Sequence, residues 1–144
     1  MASEKILEYL DGKRDQHVAE LVEFLKIPSI SSQSDHDADT RRAAEFMVAE
    51  FERLDLAVEL IEFGGHPLIY AETEQKPDRR TLLFYGHYDV QPVDPLDLWD
   101  TPPFEPRIEH DIIYARGACD DKGQVYTHLK ALEAYIKQGL ELPV

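Results

Sequence analysis

Thr81-Leu82-Leu83-Phe84-Tyr85, followed at once by Gly86-His87-Tyr88-Asp89, is the stretch that decides how this chain is read. The first five residues form a short, continuous apolar run. Such a run suits a strand buried on both faces, as in an α/β sheet. Open α/β sheets bind ligands at the carboxyl ends of their strands. Gly86 lets the backbone turn tightly at that end. His87 then offers an imidazole nitrogen to a metal. Asp89, two residues on, can accept the other ring N–H, which fixes the tautomer and raises ligand basicity. A polar strand end carrying a satisfied histidine is the plainer alternative, and His-x-Asp by itself leaves both open.

Upstream, residues 4–26 read as one long helix, with Ile6, Leu10, His17, Leu21 and Leu25 near one face. Pro28 ends it, because proline disfavours helical geometry at Ile27. Residues 28–39 are polar and turn-rich. Asp39 or Thr40 can cap a second helix to about Leu54, with Ala43, Met47, Phe51 and Leu54 as its apolar stripe. Leu56–Phe63 and Leu68–Ala71 read as strands around the turn Gly64-Gly65-His66-Pro67. Downstream, Pro92, Pro95, Pro102, Pro103 and Pro106 make residues 91–106 an ordered but irregular loop. Ile108–Ala115 returns to strand character about a turn at His110-Asp111. Residues 121–138 form a third helix, with Val125, Leu129, Leu132 and Ile136 on one face and Gly139 as its stop. Helices thus alternate with strands. The expected class is α/β, a mixed and largely parallel sheet flanked by helices.

A second strand-to-helix junction lies at Arg116-Gly117-Ala118-Cys119-Asp120-Asp121-Lys122-Gly123. Asp120 is a candidate carboxylate ligand. Asp is equally a preferred helix cap, and Asp121 with Gln124 has the form of a capping box. Assigning Asp121 to the cap leaves Asp120 for a site; spacing alone does not decide between the two. Cys119 has no partnered histidine in the sequence, which argues against a cysteine nucleophile. His17 and His128 fall on helices and read as structural, whereas His36, His66 and His110 fall in turns and read as solvated. No Gly-x-Gly-x-x-Gly, Gly-x-Ser-x-Gly or phosphate-loop pattern occurs.

Composition narrows the partners. The 144 residues are 43% hydrophobic and 10% aromatic, enough for a core. Fifteen basic against 29 acidic residues leave a formal charge of −14. That charge disfavours nucleic acid and anionic membrane, which need a basic footprint. The single cysteine makes no internal disulfide. No apolar signal region and no long apolar span is visible. The expected setting is cytoplasmic.

Taken together, three segments are far more specific than any one. They are Gly86-His87-Tyr88-Asp89-Val90-Gln91-Pro92-Val93, Trp99-Asp100-Thr101-Pro102-Pro103-Phe104-Glu105-Pro106 and Tyr114-Ala115-Arg116-Gly117-Ala118-Cys119-Asp120-Asp121-Lys122-Gly123. They resemble the zinc-dependent aminoacylase/carboxypeptidase/dipeptidase family, which includes acetylornithine deacetylase, succinyl-diaminopimelate desuccinylase and carnosinase-like dipeptidases. Val-Gln-Pro-Val and Trp…Pro-Pro-Phe-x-Pro look most like the dipeptidase branch. Residues 27–32 (IPSISS) resemble the loop after the family's first helix.

The resemblance implies that His87 ligates one zinc, that Asp89 orients His87 and is the catalytic-site residue behind it, and that Asp120 bridges two zincs. Mn or Co could replace Zn. It also implies a cis peptide at Asp120–Asp121 and amide hydrolysis by metal-activated water, with a glutamate taking the proton. In the family that glutamate lies in a Glu-Glu motif after the next strand, and an inserted lid domain serves dimerisation. Neither is found in residues 1–144. A catalytic zinc takes about three protein ligands plus water, and His87 and Asp120 are two. The chain is therefore expected to be the N-terminal portion of a catalytic domain with an incomplete sheet, inactive alone and holding zinc weakly. The intact protein is expected to be a homodimer acting on a small peptide or an N-acyl amino acid. The rival readings are an N-acyl-amino-acid deacylase of the same family and a non-catalytic interaction module retaining the fold.

Overall fold

A computed structural model describes residues 2–144. Four helices and two hairpins follow in chain order: α1 (Ala2–Gly12), α2 (Arg14–Leu25), α3 (Asp37–Glu52), β1 (Ala57–Ile61), β2 (Leu68–Glu72), β3 (Arg107–Glu109), β4 (Ile112–Tyr114) and α4 (Lys122–Lys137). The single helix expected over 4–26 is broken in two at Lys13, whose φ and ψ are −108° and 4°. Gly12 stands at the break, where its lack of a side chain makes continued helix unfavourable. α3 begins at Asp37, ahead of the expected cap, and Thr40 turns its hydroxyl back to the His36 carbonyl at 3.0 Å.

β1 and β2 pair antiparallel, from Ala57 with Glu72 to Ile61 with Leu68. β3 and β4 pair antiparallel across His110 and Asp111, both at positive φ (51° and 63°), as a tight two-residue hairpin turn requires. Parallel pairing among the described residues is confined to one bridge, Ile30 with Val90. The α/β class and the incomplete sheet stand, but the strands that form belong to antiparallel hairpins. The run Thr81–Tyr85 is not a buried strand. It carries no ladder, and Leu83 and Tyr85 are 81% and 89% exposed. A central strand needs neighbours on both edges and cover on both faces, and none of the described elements supplies them.

The core lies between helices. Phe24, Ile27, Ala43, Met47, Leu54, Tyr126 and Leu129 form one buried cluster, with Phe24 and Phe46 stacked at 4.8 Å. Lys122 is buried there at the start of α4. Its ammonium donates to the carbonyls of Phe24 and Ile27, at 3.0 and 2.7 Å, at the C-terminal end of α2. Cations are favoured at that end of a helix. Burial pushes the Lys122 amine down to about 7. In the proline loop, the Trp99 indole donates to the Val93 carbonyl at 3.0 Å and the Arg116 guanidinium sits over its ring.

A buried polar cluster ties all four helices together. Glu133 on α4 accepts from Tyr9 on α1 at 2.8 Å, from Lys130 at 2.9 Å and from Arg53, just past α3. The Lys130 ammonium also reaches Glu20 on α2 at 2.6 Å and Glu50 on α3 at 3.0 Å. Burial opposes ionisation of Glu133, but the bonds from Arg53, Lys130 and Tyr9 outweigh it and hold its carboxyl down to about 2. A carboxyl depressed on folding contributes stability above its ordinary value near 4.5, and that stability is lost as pH falls toward 2. A shift of this size corresponds to about 3 kcal/mol. Glu133→Gln is expected to lower unfolding stability by about 3 kcal/mol at neutral pH. It should also flatten the acid limb of the stability curve in urea titrations; an unchanged acid limb would show that Glu133 does not anchor the helices.

Candidate metal centre

The chain reaches this site by an unusually close approach. Residue 86 lies so near the start of α4 that a β-carbon on it would come within 2.3 Å of Val125 Cγ2 and 2.7 Å of Asp121 Oδ2. Only glycine fits. His87 follows, and its backbone N–H donates to Asp121 Oδ2 at 3.1 Å. The Asp121 carboxylate is thereby engaged, and it makes no capping bond to α4 although Asp121 occupies the N-cap position. The capping box expected from Asp121 and Gln124 does not form; the Gln124 amide instead donates to the Cys119 carbonyl. Gly117, at a φ of 85°, makes a second close approach, its β-carbon falling 2.8 Å from Val90 Cγ1, and Gly123 packs on its own loop, where a β-carbon would lie 2.1 Å from the Ala118 carbonyl oxygen.

The His87 ring stands between two carboxylates. Nδ1 lies 2.9 Å from Asp89 Oδ1 and 3.1 Å from the Asp89 carbonyl oxygen. Nε2 lies 3.0 Å from Asp120 Oδ1. Burial resists charging the ring, but Asp89 and Asp120 outweigh it and raise the His87 pKa above its ordinary value. Asp120 is largely exposed, with 77% of its side chain open to solvent, whereas Asp89 and His87 are partly covered. The Asp120–Asp121 peptide is cis.

This donor set fits part of a zinc site. Two ligands of a tetrahedral zinc stand about 3.3 Å apart, given metal–ligand distances near 2.0–2.1 Å. The 3.0 Å between His87 Nε2 and Asp120 Oδ1 is close to that span. Among the described residues no group of three or more His, Cys, Asp or Glu side chains gathers as a metal site, so the fit extends to two donors.

The remaining histidines lie apart from this pair. His36 Nδ1 meets Asp39 at 3.0 Å and His66 Nε2 meets the Ser31 carbonyl at 2.9 Å, so both turn histidines have protein partners rather than water alone. His17 is largely buried on α2, and the His128 ring lies 4.7 Å from that of Phe84. The Cys119 thiol is free and exposed. Sequence reasoning missed two contributors. One is the Asp121 carboxylate, which holds the His87 amide. The other is the stretch Ser29–Ser31, which lies along the His87 segment and whose Ser31 hydroxyl donates to Asp89 Oδ2. The sequence signal for the second is the stretch IPSISS at residues 27–32, whose resemblance to a family loop does not place it beside His87.

Among the known proteins that the chain resembles are metallopeptidases. The family model of peptidase family M20/M25/M40 matches residues 83–144. Over its whole length the chain is 32% identical to the Cys-Gly metallodipeptidase dug1 of Schizosaccharomyces pombe, covering 33% of that protein. The crystal structure of human carnosine dipeptidase 1 superposes on 98% of the chain with a TM-score of 0.93 and 32% identity, using 32% of its own length. Saccharomyces cerevisiae Dug1p superposes on 97% of the chain, and 32% of its own, with a TM-score of 0.88 and 26% identity. The chain thus resembles the dipeptidase branch and spans about a third of the length of the relatives it matches.

Gly123→Ala forces its new methyl against a backbone carbonyl that cannot rotate away. It is expected to destabilise the chain by about 2–3 kcal/mol and to broaden the amide signals of Cys119–Asp121 in NMR spectra. A variant as stable as the parent would mean that α4 does not depend on this approach.

Proposed function

We propose that residues 1–144 form the N-terminal portion of the catalytic domain of a dinuclear zinc metallopeptidase that hydrolyses dipeptides. One observation carries the reading: a histidine backed by Asp89 on one ring nitrogen faces Asp120 with the other. His87 Nε2 and the Asp120 carboxylate would hold the metal, Asp120 serving as the bridge between two ions. Zinc is the first choice, with manganese or cobalt able to take its place. Bound there, such ions acidify a water and polarise the scissile carbonyl. Asp89 keeps the proton on Nδ1, so the Nε2 lone pair is directed at the metal and the ring cannot turn. No residue of this chain is assigned the general-base role.

The names of the relatives, a Cys-Gly metallodipeptidase and a Beta-Ala-His dipeptidase, support a small peptide as substrate over an N-acyl amino acid. Homodimerisation through a lid domain follows from the family resemblance and is part of the same proposal. Among the described residues no helix is long and apolar enough to cross a membrane. A reducing, cytoplasmic setting fits the free, exposed Cys119.

Zinc titration of the 144-residue chain by calorimetry tests the reading. The expected result is weak binding that disappears in both His87→Ala and Asp120→Ala, with no turnover of Cys-Gly or β-Ala-His. Zinc binding unaffected by both substitutions would rule out these donors. Tight uptake of two zincs with peptide turnover would overturn the claim that the site in this chain is partial.

A further inference from the structure

Ser29–Ser31 lies alongside Tyr88–Val90 as one short parallel strip. The Val90 N–H donates to the Ser29 carbonyl at 2.9 Å, and the Ser29 hydroxyl donates to the Tyr88 carbonyl at 2.8 Å. Ile30 and Val90 form the parallel bridge between them. Ser29, Ile30 and Val90 are all buried, so the two segments have one register. That register brings Ser31 beside Asp89. The Ser31 hydroxyl donates to Asp89 Oδ2, while Asp89 Oδ1 faces His87 Nδ1 at 2.9 Å. Ser31 is itself held, because its carbonyl meets His66 Nε2 at 2.9 Å.

We propose that Ser31 is a positioning residue for His87, acting through Asp89. A carboxylate hydrogen-bonded at one oxygen only is free to rotate about its last side-chain bond. The Asp89 carboxylate is anchored at both, and its two oxygens have different partners. Anchoring Oδ2 fixes Oδ1 in the plane where Nδ1 needs an acceptor. That matters because the ring has a competing acceptor at its other nitrogen, Asp120 Oδ1 lying 3.0 Å from Nε2. With Oδ1 fixed, the neutral ring keeps its proton on Nδ1 and leaves the Nε2 lone pair facing Asp120. Removing the hydroxyl frees the carboxylate, and the ring then divides between its two tautomers. The orienting effect stands on hydrogen bonding alone; its consequence for metal binding rests on the proposed function.

The test compares Ser31→Ala and Ser31→Thr with the parent in the 144-residue chain. The imidazole tautomer of His87 is read by long-range ¹⁵N–¹H correlation at alkaline pH, where the ring is neutral, and zinc affinity is read alongside. The parent and Ser31→Thr should show the Nδ1–H form alone. Ser31→Ala should show a mixture of both forms and bind zinc about tenfold more weakly, the lower end of what removing an outer-shell partner costs. A pure Nδ1–H form in folded Ser31→Ala overturns the proposal, as does a mixture in Ser31→Thr matching that in Ser31→Ala. A tautomer change with unaltered zinc affinity upholds the positioning and counts instead against His87 as a metal ligand. If Ser31→Ala fails to fold, Ser31→Cys supplies a weaker donor of similar size. A partial mixture is then the supporting result and a pure Nδ1–H form the contrary one.

Discussion

The close approach of residues 86–90 to the N-terminus of α4 is the constraint on which the site depends. Two chemistry-bearing segments, distant in sequence, meet because Gly86 and Gly117 have no β-carbon to keep them apart. Once they meet, the Asp121 carboxylate takes the His87 amide and the His87 ring falls beside Asp120. The same contact explains why α4 begins without a side-chain cap. The group in the capping position serves the neighbouring segment, and the buried Lys122 that follows serves the end of α2.

α4 therefore does two jobs at its two ends. Its first turn meets the site segment, and its third and fourth turns carry Lys130 and Glu133 into the cluster that joins α1, α2 and α3. A buried charge without its partner costs several kcal/mol, so this cluster favours one arrangement of helices. Held by that arrangement, the loop after α2 lies against Val90 and places Ser31 at Asp89. The path from helix packing to imidazole orientation is continuous, through packed backbone and hydrogen bonds.

The local chemistry was readable in the sequence where it is carried by neighbours. His87 and Asp89 are two residues apart, and their pairing follows from that spacing. The turn at His110-Asp111, the β1–β2 hairpin and α4 follow from periodicity and turn residues. What depended on distant partners was not readable. The apolar run Thr81–Tyr85 has the composition of a central strand, but strand formation requires edges that other segments must supply. Asp121 has the spacing of a helix cap, yet a backbone amide 34 residues earlier in the chain claims its carboxylate. Gly12 sits inside a helical apolar pattern, and the backbone penalty at that one residue breaks the helix where the pattern shows nothing. Ser31 has no motif of its own; its place beside Asp89 comes from the parallel strip that Ser29 and Val90 set.

The central claim is that His87 and Asp120 act together as metal donors. A crystal structure of the chain soaked with zinc, phased on the zinc edge, tests it most directly. The predicted result is an anomalous peak about 2.0–2.2 Å from both His87 Nε2 and an Asp120 carboxylate oxygen, with Asp89 still on Nδ1. Zinc held at His36 and Asp39, or at His66, with none between His87 and Asp120, would contradict it.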